Sequence, residues 1–86
     1  MFSERFGKSI VITDHARGRM VARAISEALL RDMIETGEVR YKDEKRIWIA
    51  KHYRGRGDNL LCVAAVLETA LAIKTVMHHF SWESKS

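Results

Sequence analysis

The spacing of apolar residues changes at Gly37, and this change sets what the chain can fold into. Before it, residues 29–34 carry apolar side chains at the three- and four-residue intervals of a helix face. After it, residues 46–54 alternate between apolar and polar, which is typical of a half-buried strand. Residues 60–67 are apolar without interruption and should form the central strand of a sheet. The pattern therefore predicts helices first and strands after.

Capping residues place the ends of the predicted helices. Thr13 and Asp14 are good N-cap residues and predict a first helix over residues 15–24. Ser26 is a second N-cap, and Gly37 comes where a glycine cap would end the helix that this predicts over residues 27–36.

Short connections between the predicted strands indicate an antiparallel meander. The strands are expected at residues 39–43, 46–54, 60–67 and 71–79, and residues 10–12 form either a short strand or an extended lead-in. The predicted fold class is α+β, with two N-terminal helices followed by a four-stranded antiparallel sheet. At 86 residues the chain should be a single domain, 1–86, with flexible segments at 1–8 and 82–86.

Composition limits the environment and the partners. A single cysteine, Cys62, allows no intramolecular disulfide, and with no signal-peptide pattern this predicts a cytoplasmic protein. The longest apolar run falls far short of the roughly 20 residues of a membrane span, so no membrane association is expected. Lys and Arg total 15 against 11 acidic residues, a net charge of +4. This charge suits phosphate binding, but it also suits an ordinary soluble surface.

The first predicted helix carries a stripe of cations. His15, Arg19 and Arg23 follow one another at four-residue spacing and so share a face, and Arg17 is close by. The stripe could be a phosphate-binding ridge with a histidine at its head, or a solvated helix face. We favour the ridge, because like charges at this spacing cost stability unless an anion binds them.

The predicted hairpin around Gly55 is also basic. It contains Lys51, Tyr53, Arg54 and Arg56, with no acid before Asp58. Cations with an interleaved aromatic suit a nucleic-acid backbone and a stacked base. The alternative is a polar hairpin that protects a sheet edge from aggregation.

Histidines and a lysine form a candidate catalytic set of His15, His52, Lys74 and His78. Imidazoles on one open face could take the proton from a 2′-hydroxyl of RNA and protonate the leaving 5′-oxygen, while Lys or Arg stabilises the phosphoryl oxygens. Each histidine alone could instead be a surface residue. The sequence has no zinc-site spacing, so neither a metal nor another cofactor is expected.

Two short elements carry a resemblance to a known group of proteins. The opening Thr13-Asp14-His15-Ala16-Arg17, with Arg19-Met20, Arg23 and Ile25-Ser26, and the close Ile73-Lys74-Thr75-Val76 resemble an uncharacterised bacterial family of small domains. The likeness covers about residues 10–80. That family is similar in layout to the BrnT and RelE-type toxins, which are metal-independent ribonucleases restrained by an antitoxin made beside them.

We therefore expect a metal-independent endoribonuclease of the toxin–antitoxin kind. Its partners would be RNA and a cognate antitoxin protein, as the resemblance implies. The RNA would be bound by Arg17, Arg19, Arg23, Lys51, Tyr53, Arg54 and Arg56. The alternatives are a non-catalytic nucleic-acid-binding domain and a protein-interaction domain, which would bind without turnover.

Overall fold

A sheet of six strands, not four, forms the body of the molecule. The computed structural model describes residues 1–82. Within them the elements are β1 (Phe2–Ser3), β2 (Lys8–Ile12), α1 (Asp14–Ala22), α2 (Glu27–Thr36), β3 (Glu38–Tyr41), β4 (Arg46–Lys51), β5 (Leu60–Leu67) and β6 (Leu71–Phe80). The strand order is β1-β2-β6-β5-β4-β3. The expected four-stranded antiparallel sheet is therefore wrong, although the molecule is still α+β.

The two N-terminal strands account for the difference. β1 pairs antiparallel with β2, and β2 pairs in parallel with β6, Ile10 lying opposite Leu71 and Ile12 opposite Ile73. The sheet is thus mixed. Thr13 fastens this pairing, because its backbone N–H and its hydroxyl both donate to the carbonyl of Ile73, at 3.2 and 2.8 Å. A three-residue β-branched run whose partner lies some 60 positions later gives no local signal of pairing.

The two helices begin at the predicted caps. The Thr13 hydroxyl accepts from the Ala16 N–H at 3.2 Å, and the Ser26 hydroxyl accepts from the Leu29 N–H at 3.1 Å. α2 has the predicted bounds, whereas α1 starts one residue earlier than predicted and ends at Ala22. Ala24 follows in a left-handed backbone conformation (φ 53°), which stops the helix.

Gly37 is required by a close approach of two backbones rather than by a left-handed cap. Its φ is −76°, which any residue can adopt. A Cβ at this position would lie 2.6 Å from the carbonyl oxygen of Met33 and 2.9 Å from that of Ala50. The absence of a side chain therefore lets the end of α2 meet β4.

The main core lies between the helices and one face of the sheet. Ile49, Val63 and Val76 stand opposite one another across β4, β5 and β6 and are fully buried. They belong to one cluster with buried side chains of α2, including Leu30 and Met33. Each such side chain contributes about 1.5–3 kcal/mol by leaving water. Side chains alternate between the two faces of a strand, so neighbours of these residues, such as Trp48 beside Ile49, lie on the face that the helices do not cover.

The N-terminal segment, expected to be flexible, packs against α2. Ser3 is fully buried and its hydroxyl donates to the Glu35 carboxylate. The backbone N–H groups of Glu4 and Arg5 also donate to Glu35, at 2.9 and 3.1 Å. Burial works to raise the pKa of Glu35, but these hydrogen bonds outweigh it and hold the pKa below its usual value. Of the C-terminal segment expected to be flexible, residues 83–86 lie outside the described residues.

Two further sequence-based expectations concern Cys62 and membranes. Cys62 is fully buried within β5, and this burial raises the pKa of its thiol to about 12, so the residue is suited to packing rather than nucleophilic attack. In residues 1–82, neither helix has the length and apolar character that a membrane crossing requires.

Candidate active site

The β4–β5 loop folds against the end of α1 and carries the most chemically distinctive cluster. Arg56 anchors the loop, because its guanidinium donates to the carbonyls of Arg23 (2.9 Å) and Ala24 (3.2 Å). These carbonyls end a helix and would otherwise lack partners. The same guanidinium donates to both oxygens of Asp58, at 3.1 and 3.0 Å. One arginine thus docks the loop and fixes a carboxylate.

Asp58 is the centre of the cluster. Its side chain is 8% exposed. The hydrogen bonds from Arg56, with help from the charge of Arg56 and of His79, outweigh burial and lower the pKa of Asp58. Asp58 is therefore an anion at neutral pH. Its Oδ2 lies 3.6 Å from Nδ1 of His78, which is within ion-pairing distance of a protonated imidazole but longer than a hydrogen bond.

A β-bulge brings the second imidazole to the same place. Leu60 pairs with Phe80 and Cys62 pairs with Met77, so β5 has one residue between these two pairs whereas β6 has two. His79 is in the left-handed region with φ 54°, which is uncommon for a residue with a side chain. As a result the rings of His78 and His79 lie 4.6 Å apart, although strict alternation would place them on opposite faces.

The cluster opens to solvent through a hollow, and Arg23, at the same end of α1, has guanidinium nitrogens without hydrogen-bond partners. Arg56, Gly57, Asp58 and His79 line a hollow of about 400 Å³. Arg23 is the residue at the end of α1 whose carbonyl accepts from Arg56. Within residues 1–82 its Nε and Nη1 are buried without a hydrogen-bond partner. Buried guanidinium nitrogens without acceptors are costly.

The structure does not bring the four predicted catalytic residues together. His78 belongs to the cluster at the C-terminal end of α1, and His52 is exposed in the β4–β5 loop. His15 is exposed in the first turn of α1, and Lys74 is an exposed residue beside the same turn, since its carbonyl lies 3.4 Å from the Thr13 hydroxyl. Arg23, the C-cap of α1, lies eight positions after His15, which is about 12 Å along the helix at 1.5 Å per residue.

The predicted RNA-binding residues are divided as well. Arg56 lies at the cluster, where it donates to the backbone carbonyl of Arg23, and Arg54 is exposed in the loop that carries it. Arg17 pairs with Glu27 at 2.9 Å, and Arg19 is exposed beside His15, where both line a separate hollow of about 280 Å³.

Lys51 and Tyr53 are engaged within the protein. Both donate to Oδ2 of Asp32 in α2, at 2.9 and 2.6 Å. Burial and this hydrogen bond raise the pKa of the Tyr53 phenol well above its usual value. These two side chains hold the start of the loop against α2.

Sequence reasoning missed Asp58 and His79. Asp58 was interpreted only as part of a turn, and the spacing of two residues from Arg56 was the signal that could have paired them. His79 could not have been found from alternation, because its orientation depends on the bulge. In residues 1–82 no group of three or more His, Cys, Asp or Glu side chains is arranged to hold a metal ion.

Comparison with known proteins identifies the family. A family model described as "Domain of unknown function (DUF4258)" matches residues 12–78, which is most of the region whose sequence resembles a family of small domains. The chain matches no curated protein and no solved structure. Because the family model spans well over half of the 86 residues, the chain belongs to the DUF4258 family.

Proposed function

We propose that the protein is a metal-independent endoribonuclease of the toxin kind, with its active site at the Asp58–His78–His79 cluster. The observation that carries the proposal is the convergence of two imidazoles on a carboxylate that Arg56 holds in place. The basic composition and the resemblance to BrnT and RelE-type toxins support the same function. An antitoxin partner and a cytoplasmic location belong to this proposal.

The reaction would use the substrate's own hydroxyl as nucleophile. One imidazole takes the proton from the 2′-hydroxyl, whose oxygen attacks the adjacent phosphorus. The bond from phosphorus to the 5′-oxygen breaks, and the other imidazole gives that oxygen a proton. The products are a 2′,3′-cyclic phosphate and a 5′-hydroxyl end. The reaction needs no metal, since histidine titrates near neutral pH and can exchange both protons.

The other residues of the site have supporting roles. Asp58 can form an ion pair with protonated His78, and Arg56 is a positioning residue because it fixes Asp58 and the loop. Most of its N–H groups are already used in this way. The charge that develops on the phosphoryl oxygens is left to Arg54, which is exposed in the same loop.

A panel of variants tests the site in EDTA with purified protein and RNA. His78→Ala should lower the cleavage rate about 10²- to 10⁴-fold, the usual contribution of a general acid or base. Asp58→Asn should lower it less and alter its pH profile. Asp43→Asn is the matched control, because Asp43 also pairs with an arginine, Arg46, but in a different loop.

His15→Ala separates the structural site from the set expected from sequence. The structural site predicts that this variant cleaves as fast as the wild type, because His15 lies at the other end of α1. Loss of cleavage in Asp43→Asn equal to that in Asp58→Asn would contradict the assignment. Binding of RNA without cleavage by any form of the protein would favour the nucleic-acid-binding alternative.

A further inference from the structure

Three aromatic residues gather on the face of the sheet that the helices leave uncovered. Trp48 lies between the buried Ile47 and Ile49 of β4 and so points to the opposite face. Its ring contacts Phe80 edge-on, with centroids 5.5 Å apart, and lies nearly parallel to that of Trp82, at 6.2 Å and 18°. All three side chains are only partly buried. We call Trp48, Phe80 and Trp82 the aromatic platform.

A fixed arginine lies over the Trp82 ring of the platform. Arg40 of β3 stands opposite Trp48 in the sheet register, and its guanidinium carbon lies 4.1 Å from the centre of the Trp82 ring. Glu38 holds this guanidinium through Nε and Nη2, at 2.9 and 2.8 Å. Nη1 has no acceptor among the described residues. The guanidinium is therefore positioned in advance and still has donors to offer.

Two of the platform residues, Trp48 and Trp82, line an open hollow together with cations of β3 and the loop after it. It measures about 300 Å³ and is lined by Arg40, Tyr41, Lys42, Trp48 and Trp82. That volume is at the lower end of the roughly 300–1,000 Å³ typical of small-ligand sites. Lys42 makes no ion pair within the described part of the chain, and lysine is depleted at the centre of protein–protein interfaces. Flat aromatic faces beside two cations suit a nucleotide better than a protein surface.

We propose that the aromatic platform stacks unpaired bases of single-stranded RNA, with Arg40 and Lys42 contacting the backbone phosphates. The identity of the nucleic acid as RNA rests on the proposed function. Stacking requires an accessible base face, so a fully paired duplex should not occupy the site. The platform adjoins the candidate active site, because Phe80 directly follows His79 in β6.

Intrinsic fluorescence tests this directly, because Trp48 and Trp82 are the only tryptophans in the sequence. The probe is an eight-nucleotide 2′-O-methyl oligouridine, in which the nucleophilic hydroxyl is blocked so that binding is measured without cleavage. The same oligomer annealed to its complement is the duplex probe. We expect the single strand to quench the fluorescence with an affinity that falls as salt is raised, and the duplex not to do so.

Two variants locate the binding, with affinity followed by anisotropy of a labelled oligomer. Trp82→Ala removes one face of the platform beyond the end of β6, where no strand pairing depends on it. It should weaken binding about 5- to 150-fold, the equivalent of one lost base stack. Phe2→Ala is the matched control, since Phe2 is also an exposed aromatic (50%) but lies in β1 at the far edge of the sheet. Matching thermal midpoints would show that both variants are folded.

Each outcome decides a separate claim. Absence of quenching, equal binding of the duplex, or equal losses in Trp82→Ala and Phe2→Ala would overturn the platform proposal. So would self-association of the protein through this face with no response to RNA. Cleavage of RNA in EDTA without fluorescence quenching would support the ribonuclease proposal and refute the platform proposal. Quenching without cleavage would do the reverse.

Discussion

Alanine at Gly37 and alanine at Gly18 should change stability in opposite directions. At Gly37 the new Cβ would lie 2.6 and 2.9 Å from two carbonyl oxygens, those of Met33 and Ala50. Both are backbone atoms, so relief requires α2 to move away from β4. Overpacking of this kind costs about 1–3 kcal/mol. For a domain of this size the thermal midpoint should fall by roughly 4–24 °C.

Gly18 supplies the matched control. It lies inside α1, and a Cβ there would meet nothing within 4 Å. Alanine is about 0.8–1.0 kcal/mol better than glycine within a helix, so Gly18→Ala should raise the midpoint by roughly 3–8 °C. Thermal melts followed by far-UV circular dichroism measure both. An unchanged midpoint for Gly37→Ala would refute the close approach of α2 to β4, and a lowered midpoint for Gly18→Ala would refute the course of α1.

Three other predictions concern a hydrogen bond, a thiol and growth. Tyr53→Phe removes the donor to Asp32 and should cost about 0.5–1.5 kcal/mol at neutral pH in urea unfolding. The hydrogen bonds from Tyr53 and then Lys51 lower the pKa of Asp32. The stabilisation is therefore present above the pKa of Asp32 in the unfolded chain and is lost as the pH falls through its lower pKa in the folded protein. An unchanged cost of Tyr53→Phe in strong acid would contradict this hydrogen bond. With a thiol pKa of about 12, Cys62 should react with iodoacetamide at pH ~8 only after unfolding, and rapid reaction of the native protein would show that β5 is not closed. Expression of the protein without its neighbouring gene should arrest growth, whereas His78→Ala should be harmless; equal growth of the two strains would count against the toxin proposal.

Local signals in the sequence were enough for several elements. α2 has its predicted bounds because the Ser26 cap marks its start locally, although Gly37 ends it at a close approach to β4 rather than in a left-handed cap. β5 follows the uninterrupted apolar run. The parallel pairing of β2 with β6 could not be predicted, because it joins residues some 60 positions apart and its only local trace is the run at residues 10–12. That pairing converts the expected antiparallel sheet into a mixed one.

The candidate site was predicted in part for the same reason. Arg56 and His78 were selected for their charge and chemistry, and they lie together. Asp58 was missed because a salt bridge within a loop places it at the site, and His79 was missed because a bulge in β6 does so. Neither feature follows from strand alternation. Trp48 was not selected as a site residue from the sequence, because a large aromatic residue in a strand suits a buried core. Its face of the sheet is set by register, which places it on the side without helices.

The ends of the RNA products test the central claim most directly. RNA is incubated with the wild-type protein in EDTA, and the new termini are mapped beside those from a His78→Ala, His79→Ala double variant. The account predicts 2′,3′-cyclic phosphate and 5′-hydroxyl ends from the wild type, and none from the double variant. Equal cleavage by the two proteins, or no cleavage by the wild type even at high concentration, would contradict an RNA-cleaving site at Asp58, His78 and His79.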